Sequence, residues 1–186
     1  MSQTIQFTDD EWDTYHALCH KYAHDELEST FAQRAKRNQT NKNAMIAQVT
    51  CGKMAEWAVT MCLLDQGYDV TEPDMEIYKA SKKSFDADLT VDGAPLHVKS
   101  QSVESANRFG TSWMFQYGGR GYGHKDPLID KVDENVALCV VDFTNRNVVI
   151  HGIFPFEKLR GILKEPVKLS LKKTKRCVYL KDLVVI

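Results

Sequence analysis

The chain has no apolar run long enough to cross a bilayer. Its longest clean stretch, Val136 to Val141, falls far short of the roughly 20 residues a helical span needs. The opening residues MSQTIQFTDDEW show no basic segment leading into an apolar one, so secretion is not expected. No C-x-x-C pair exists, and the five cysteines, at 19, 51, 62, 139 and 177, are odd in number. A disulfide framework and a structural zinc site are therefore not expected. Cys51, Cys62 and Cys139 sit among apolar neighbours, read as small core residues, and point to a reducing cytoplasm. Net charge is nearly absent: 24 basic against 25 acidic side chains, formally -1. That excludes the strongly basic character of a histone-like binder. Neither H-E-x-x-H nor G-x-S-x-G occurs, which removes the zincin and serine-hydrolase readings. Internal repeats and low-complexity segments are missing too.

What is present describes a folded globular protein. The 186 residues are 43% hydrophobic and 26% charged, enough for one domain with an added helical arm. Thr8 and Glu11 form a capping box, so a helix is expected from there to about Ala35. Trp12, Tyr15, Cys19 and Tyr22 give it an apolar stripe. The polar stretch 38–43 reads as a loop. A second helix is expected from Ala44 to Gln66, apolar nearly all round and stopped by Gly67. Beyond it, Tyr68 to Val70 reads as a short extended piece. Strands are expected at Ser112–Tyr117, with Trp113 and Phe115 in the sheet core. Others are expected at Asn135–Phe143, Val148–Ile153 and Cys177–Leu180, with a short helix opening at Pro155 and ending near Leu163. The element order is that of an α+β or α/β protein, with one sheet packed against helices. Residues 1–43 are expected as an N-terminal helical arm and 44–186 as the core.

The densest chemistry lies in a hairpin. SFDADLTV and PLHVKSQ flank Asp92-Gly93, a strong turn signal between alternating runs. Alternate side chains share a face. Ala87, Leu89 and Val91 then lie opposite Asp86, Asp88 and Thr90. On the second strand Leu96, Val98 and Ser100 lie opposite His97, Lys99 and Gln101. If the apolar sides face the core, the polar sides coincide. Two carboxylates about 5 Å apart repel by roughly 3 kcal/mol at an effective dielectric of 20; Lys99 and a divalent cation would offset this. An exposed hairpin with ordinary surface charges is the plain alternative. Glu56 is the only charged residue between Lys53 and Asp65. It is costly to bury unless paired or metal-bound, although Lys53, Glu56 and Thr60 share a face and could form a narrow solvated stripe.

The helix GKMAEWAVTMCLLDQGYDV, followed by FDADLTVDGAPLHVKSQ, resembles the PD-(D/E)-x-K nuclease superfamily, the restriction-endonuclease-like fold. The resemblance covers about Gly52 to Gln116. The fold it implies is α/β, with a mixed sheet flanked by helices, and this is the class expected. It implies a helix acid at Glu56 and a strand acid at Asp88, with Asp86 as its competitor. It implies the motif lysine at Lys99, with Val98 at the intervening position whose carbonyl binds metal. Gln101 and Gln116 resemble glutamines found beyond the lysine. His97 departs from the pattern, standing where the family has Glu or Asp; either Asp86 supplies the missing carboxylate, or His97 acts as ligand or proton carrier. Pro73-Asp74 is a literal Pro-Asp pair but precedes Lys99 by 25 positions, and is set aside.

The implied activity is Mg²⁺- or Mn²⁺-dependent hydrolysis of DNA phosphodiester bonds by an endonuclease of prokaryotic or phage restriction, homing or repair type. Asp88, Asp86, Glu56 and the Val98 carbonyl would hold the metal. Glu56, Asp88, Lys99, His97 and Gln101 are the expected catalytic set. A homodimer is implied, because cutting both strands uses two sites. A non-catalytic DNA-binding module on a decayed nuclease scaffold and an unrelated α/β enzyme remain alternatives.

Basic clusters supply candidate DNA contacts at Lys36 and Arg37, at Lys82 and Lys83 beside Lys79, and at Arg120 and Lys125. A further cluster is Lys172, Lys173, Lys175 and Arg176. Solvated loops are the plain reading of each. His16, His20 and His24 recur at helical spacing able to bind zinc, but a solvated stripe is expected. Tyr117 to Lys125 combines glycines, aromatics and basic residues, which suits a loop closing over a nucleic-acid backbone. Deleting Gly118 to Gly123 should weaken duplex affinity in a filter-binding titration; an unchanged dissociation constant excludes that role.

Overall fold

The computed structural model describes residues 2–36, 38–78, 87–118, 127–129 and 133–185. Asp86, Arg37, Lys79, Lys82, Lys83, Arg120 and Lys125, and with them most of the glycine-rich stretch, lie outside the described residues.

Two long helices come first. Helix α1 spans Asp9–Ala35, and its capping box is formed: the Thr8 hydroxyl accepts from the Glu11 N–H while Glu11 accepts from the Thr8 N–H. Helix α2 spans Lys42–Asp65 and starts two residues earlier than expected, because Asn41 accepts from the Ala44 N–H and caps it. Gly67, at φ 88°, follows its end, a conformation that favours glycine.

Five strands form the main sheet, in the order β1-β6-β5-β3-β2. These are β1 Gln3–Gln6, β2 Leu89–Val91, β3 Ala94–Ser102, β5 Asn135–Asp142 and β6 Asn147–Pro155. Strand β3 is antiparallel to β2 and parallel to β5. A parallel neighbour needs a crossover; this one carries helix α3, Val103–Phe109, and strand β4, Ser112–Gln116. Strand β4 pairs with β7, Lys175–Tyr179, in a separate two-stranded ribbon. Helix α4 is only Phe156–Arg160, with Pro155 as N-cap rather than first helical residue. Asp92 and Gly93 both take positive φ, 48° and 80°, which closes the β2–β3 hairpin as expected.

Several elements differ from the sequence reading. Strand β1 was not expected: four residues of mixed polarity carry no strong period, yet they pair with β6 at the sheet edge. Helix α3 was missed as well; no residue in it is buried, so it has no apolar stripe. The segment expected as an arm is woven into the core. Trp12 and Cys19 of α1 pack in one cluster with Met54, Ala58 and Val59 of α2 and with Ala137, Cys139 and Val141 of β5.

That cluster covers one face of the sheet. The other face is covered too: Trp113 and Phe115 of β4 and Val178 of β7 pack on Val136, Leu138 and Val140 of β5. Strand β5 is therefore buried on both faces, which explains its continuous apolar run. The register pairs His97, Lys99 and Gln101 with Val136, Leu138 and Val140. The ribbon thus covers part of the polar face of the hairpin: His97 and Gln101 are buried, while Asp88, Thr90 and Lys99 are half-buried. All five cysteines are buried and free.

Trp113 joins the two sheets. Its side chain is fully buried and its indole N–H donates to the Cys139 carbonyl at 2.8 Å. Trp113→Ala should cost about 3–5 kcal/mol, read as a lower urea midpoint, against about 1 kcal/mol for the cap variant Thr8→Ala. Equal losses in the two variants contradict this packing.

Candidate functional site

The cleft of interest opens at the β2 edge of the main sheet, between α1, α2 and the residues leading into β2. It holds about 260 Å³ and is lined by, among others, Tyr22, Arg34, Lys53, Glu56, Asp74 and Asp88. Glu56 and Asp88, 32 positions apart in sequence, thus meet in one space.

Each wall follows from its helix. On α1, Tyr22, Glu26, Thr30 and Arg34 recur every fourth residue and share a face. The Arg34 guanidinium donates to both Glu26 carboxylate oxygens at 2.9–3.0 Å and to the Thr30 hydroxyl at 3.1 Å. One terminal nitrogen of Arg34 thus spans both oxygens of Glu26, a charge-assisted contact that holds the two side chains together. On α2, Lys53 and Glu56 lie at i, i+3. Lys53 Nζ stands 2.7 Å from Glu56 Oε2, and the two side chains are only 13% and 9% exposed. The solvated stripe considered for Lys53 and Glu56 is not what forms, because α1 packs across that face of α2.

Burial governs Glu56. It pushes the carboxyl up to about 8, helped by the Asp88 and Asp74 charges and opposed by Lys53. A carboxyl shut between helices beside two other acids holds its proton longer than an exposed one.

Asp88 stands just before β2 and faces the neighbouring strand. Its Oδ2 accepts from the Val98 N–H at 2.8 Å and lies 3.8 Å from His97 Nδ1. In an extended strand the N–H and C=O of one residue point the same way, so the Val98 carbonyl also faces the β2 edge. His97 is anchored from its other side: Nε2 lies 2.6 Å from Glu134 Oε2. His97 is thereby flanked by two carboxylates.

The remaining expected residues are distributed elsewhere. Lys99 shares the His97 face of β3 and is not in the cleft wall; its Nζ lies 5.5 Å from the Phe115 ring centroid. Gln101 is occupied: its side-chain oxygen accepts from the Ser112 N–H, and its amide donates to the Gly110 carbonyl and the Ser105 hydroxyl. It holds the turn between α3 and β4. Gln116 pairs with Lys175 in the ribbon. Lys36 is exposed at the C-cap of α1, two residues beyond Arg34.

The histidine row lines a second cleft with Phe143, Ile46 and Thr50. Its ring centroids are 5.9 Å apart for His16–His20 and 4.7 Å for His20–His24. Among the described residues, no three His, Cys, Asp or Glu side chains converge as a metal-binding group.

The sequence reading placed Lys53 on the face of Glu56 and Arg34 in a basic cluster, but brought neither Arg34 nor Tyr22 to the cleft, missed Glu134, and set Asp74 aside although it lies in the cleft wall. The four-residue spacing of Tyr22, Glu26, Thr30 and Arg34 was the available signal for the α1 wall. Nothing local marks Glu134, which reaches His97 through the β3–β5 pairing.

The raised Glu56 carboxyl has a signed consequence. Between its ordinary value near 4.5 and about 8, the folded chain keeps a proton that the unfolded chain has released. Stability is therefore greatest below that window and falls as pH rises through it. In EDTA, Glu56→Gln should flatten the decline of the urea midpoint between those limits; parallel profiles for wild type and variant count against a buried, proton-holding Glu56.

Comparison with family models, with curated proteins and with solved structures finds no match to this chain.

Proposed function

We propose that the protein is a divalent-metal-dependent endodeoxyribonuclease of the PD-(D/E)-x-K kind. The observation that carries this reading is the meeting of Glu56 and Asp88 in one cleft beside a hairpin that also bears Lys99. It accords with the family's order of helix acid, strand acid and following-strand lysine.

The donor set suits the metal. Asp88, Glu56 and the Val98 carbonyl are oxygen ligands, the kind that Mg²⁺ and Mn²⁺ take. A bound ion would acidify a water and neutralise phosphate charge. Val98 N–H orients Asp88 and Lys53 offsets Glu56; in this reading Lys99, on the His97 face of β3, would counter charge developing on the phosphate. Two copies acting together would cut both strands.

A second reading has its own observation. His97 replaces the family acid and is engaged by Glu134, while Lys53 already neutralises part of the acidic pair. Both features suit a scaffold that binds DNA without cutting it.

Supercoiled plasmid separates the two. With Mg²⁺ or Mn²⁺ the wild-type chain should nick and linearise it. Asp88→Asn and Lys99→Ala should each lower the rate about a hundred-fold or more, with duplex affinity kept within a few-fold. Wild-type-like cutting by Lys99→Ala removes the role given to Lys99. Binding without cutting by the wild type selects the second reading.

A further inference from the structure

Helix α1 carries His16, His20 and His24 at four-residue spacing, so the three share one face. That face borders the seam with α2. Asn43, Ile46 and Thr50 of α2, with Phe143 just after β5, close a cleft of about 340 Å³ around the row. This cleft shares no lining residue with the one that holds Glu56 and Asp88.

The three rings differ in their freedom. His16 is half-buried and held by aromatics: it stacks on Trp12 with centroids 6.2 Å apart and meets Phe143 edge-on at 5.8 Å. Its ring lies 5.9 Å from that of His20. His20 and His24 are exposed, so their rings can turn, and their centroids are 4.7 Å apart. An imidazole nitrogen binds a zinc ion at roughly 2.0–2.1 Å, with the ring centre about 1.1 Å further back. Two imidazoles on one ion, at a right angle to a tetrahedral angle, therefore have centroids roughly 4.5–5.2 Å apart. The His20–His24 spacing falls inside that range and the His16–His20 spacing outside it. Imidazole nitrogen suits Zn²⁺, Cu²⁺ and Ni²⁺ rather than the oxygen-seeking Mg²⁺. Asn43, in the first turn of α2, brings a carboxamide to the same cleft from across the seam. No third His, Cys, Asp or Glu completes the pair among the described residues, so an ion here keeps positions for water or for the Asn43 oxygen.

We propose that His20 and His24 chelate a divalent transition ion of the zinc class in the α1–α2 seam, beside Asn43. The site is separate from the oxygen-lined cleft and stands whether or not the protein cuts DNA. One helical turn holds the two rings at chelating distance, and that spacing is lost when α1 unfolds. The ion therefore binds the folded chain in preference to the unfolded one.

The test is a calorimetric titration of the full chain with zinc chloride at about pH 8, where ordinary imidazoles are neutral. The double variant His20→Asn/His24→Asn should bind zinc about ten-fold more weakly or worse. Asp88→Asn, which disables the oxygen-lined cleft, and His151→Asn, a histidine on β6, should keep the affinity within a few-fold. A second readout needs no variant: in isotopically labelled wild-type protein, zinc should move the imidazole signals of His20 and His24. A wild type that takes up no zinc overturns the proposal, as do His20 and His24 signals that stay in place. Zinc binding lost in Asp88→Asn and kept in the double variant also overturns it, and assigns the ion to the cleft of the nuclease reading. Plasmid cutting in Mg²⁺ is scored separately: a chain that binds zinc through His20 and His24 without cutting keeps this site and loses that reading.

Discussion

Strand β3 is the constraint on which the rest depends. It lies between β2 and β5, and its two faces meet two different layers. Leu96, Val98 and Ser100 look toward α2, where the Ser100 hydroxyl meets the Cys51 thiol. His97, Lys99 and Gln101 look toward the β4–β7 ribbon. Where the ribbon buries that second face, its polar groups must find partners inside the protein. Glu134 at His97 and the Gly110–Ser112 backbone at Gln101 are those partners. A one-residue slip in the β3–β5 register would exchange the two sets and bury Lys99 against α2.

The acids are arranged by the same constraint. Asp88 precedes the short strand β2 at the sheet edge, where the 69–71 segment runs alongside: the Thr71 N–H donates to the Thr90 carbonyl, the Thr90 N–H to the Thr71 hydroxyl, and Val70 bridges Val91. Helix α2 passes close enough for Glu56 to reach this border, and α1 closes the far side. The charges then collected are unequal in kind. Arg34 and Glu26 neutralise one another and serve as wall. Lys53 pairs with Glu56 at 2.7 Å, and burial, with the Asp88 and Asp74 charges beside it, raises the Glu56 carboxyl all the same.

Much of the fold was legible because its signals are local. The Thr8–Glu11 box, the apolar continuity of α2, Asp92-Gly93 and the run Val136 to Val141 each specify an element through neighbours a few residues apart. Where the signal was thin, the reading failed. Strand β1 has no period of its own and exists by pairing with β6, and α3 is held by its Ser102 cap with no buried stripe. For the site, Glu56 and Asp88 were picked by residue type and order. Their shared cleft follows from how α2 lies over the sheet. Gln101 was chosen by the same kind of reasoning and has a different task, because the turn that needs it is formed by residues further along the chain.

By itself, then, the sequence determined the two long helices, the β2–β3 turn and the buried strand β5, which faces of the hairpin are apolar or polar, and that Lys53 shares the face of Glu56. Those properties depend on spacing within a few residues, and the physics of one turn or one pleat suffices. Only the tertiary structure decided that the ribbon packs on the polar face, that the N-terminal segment completes the sheet, and that Glu134 engages His97. It also brought Asp74 to Glu56. Those facts depend on which surfaces meet, and a meeting between residues far apart in the chain is set by the summed burial of many side chains rather than by any pattern either residue carries.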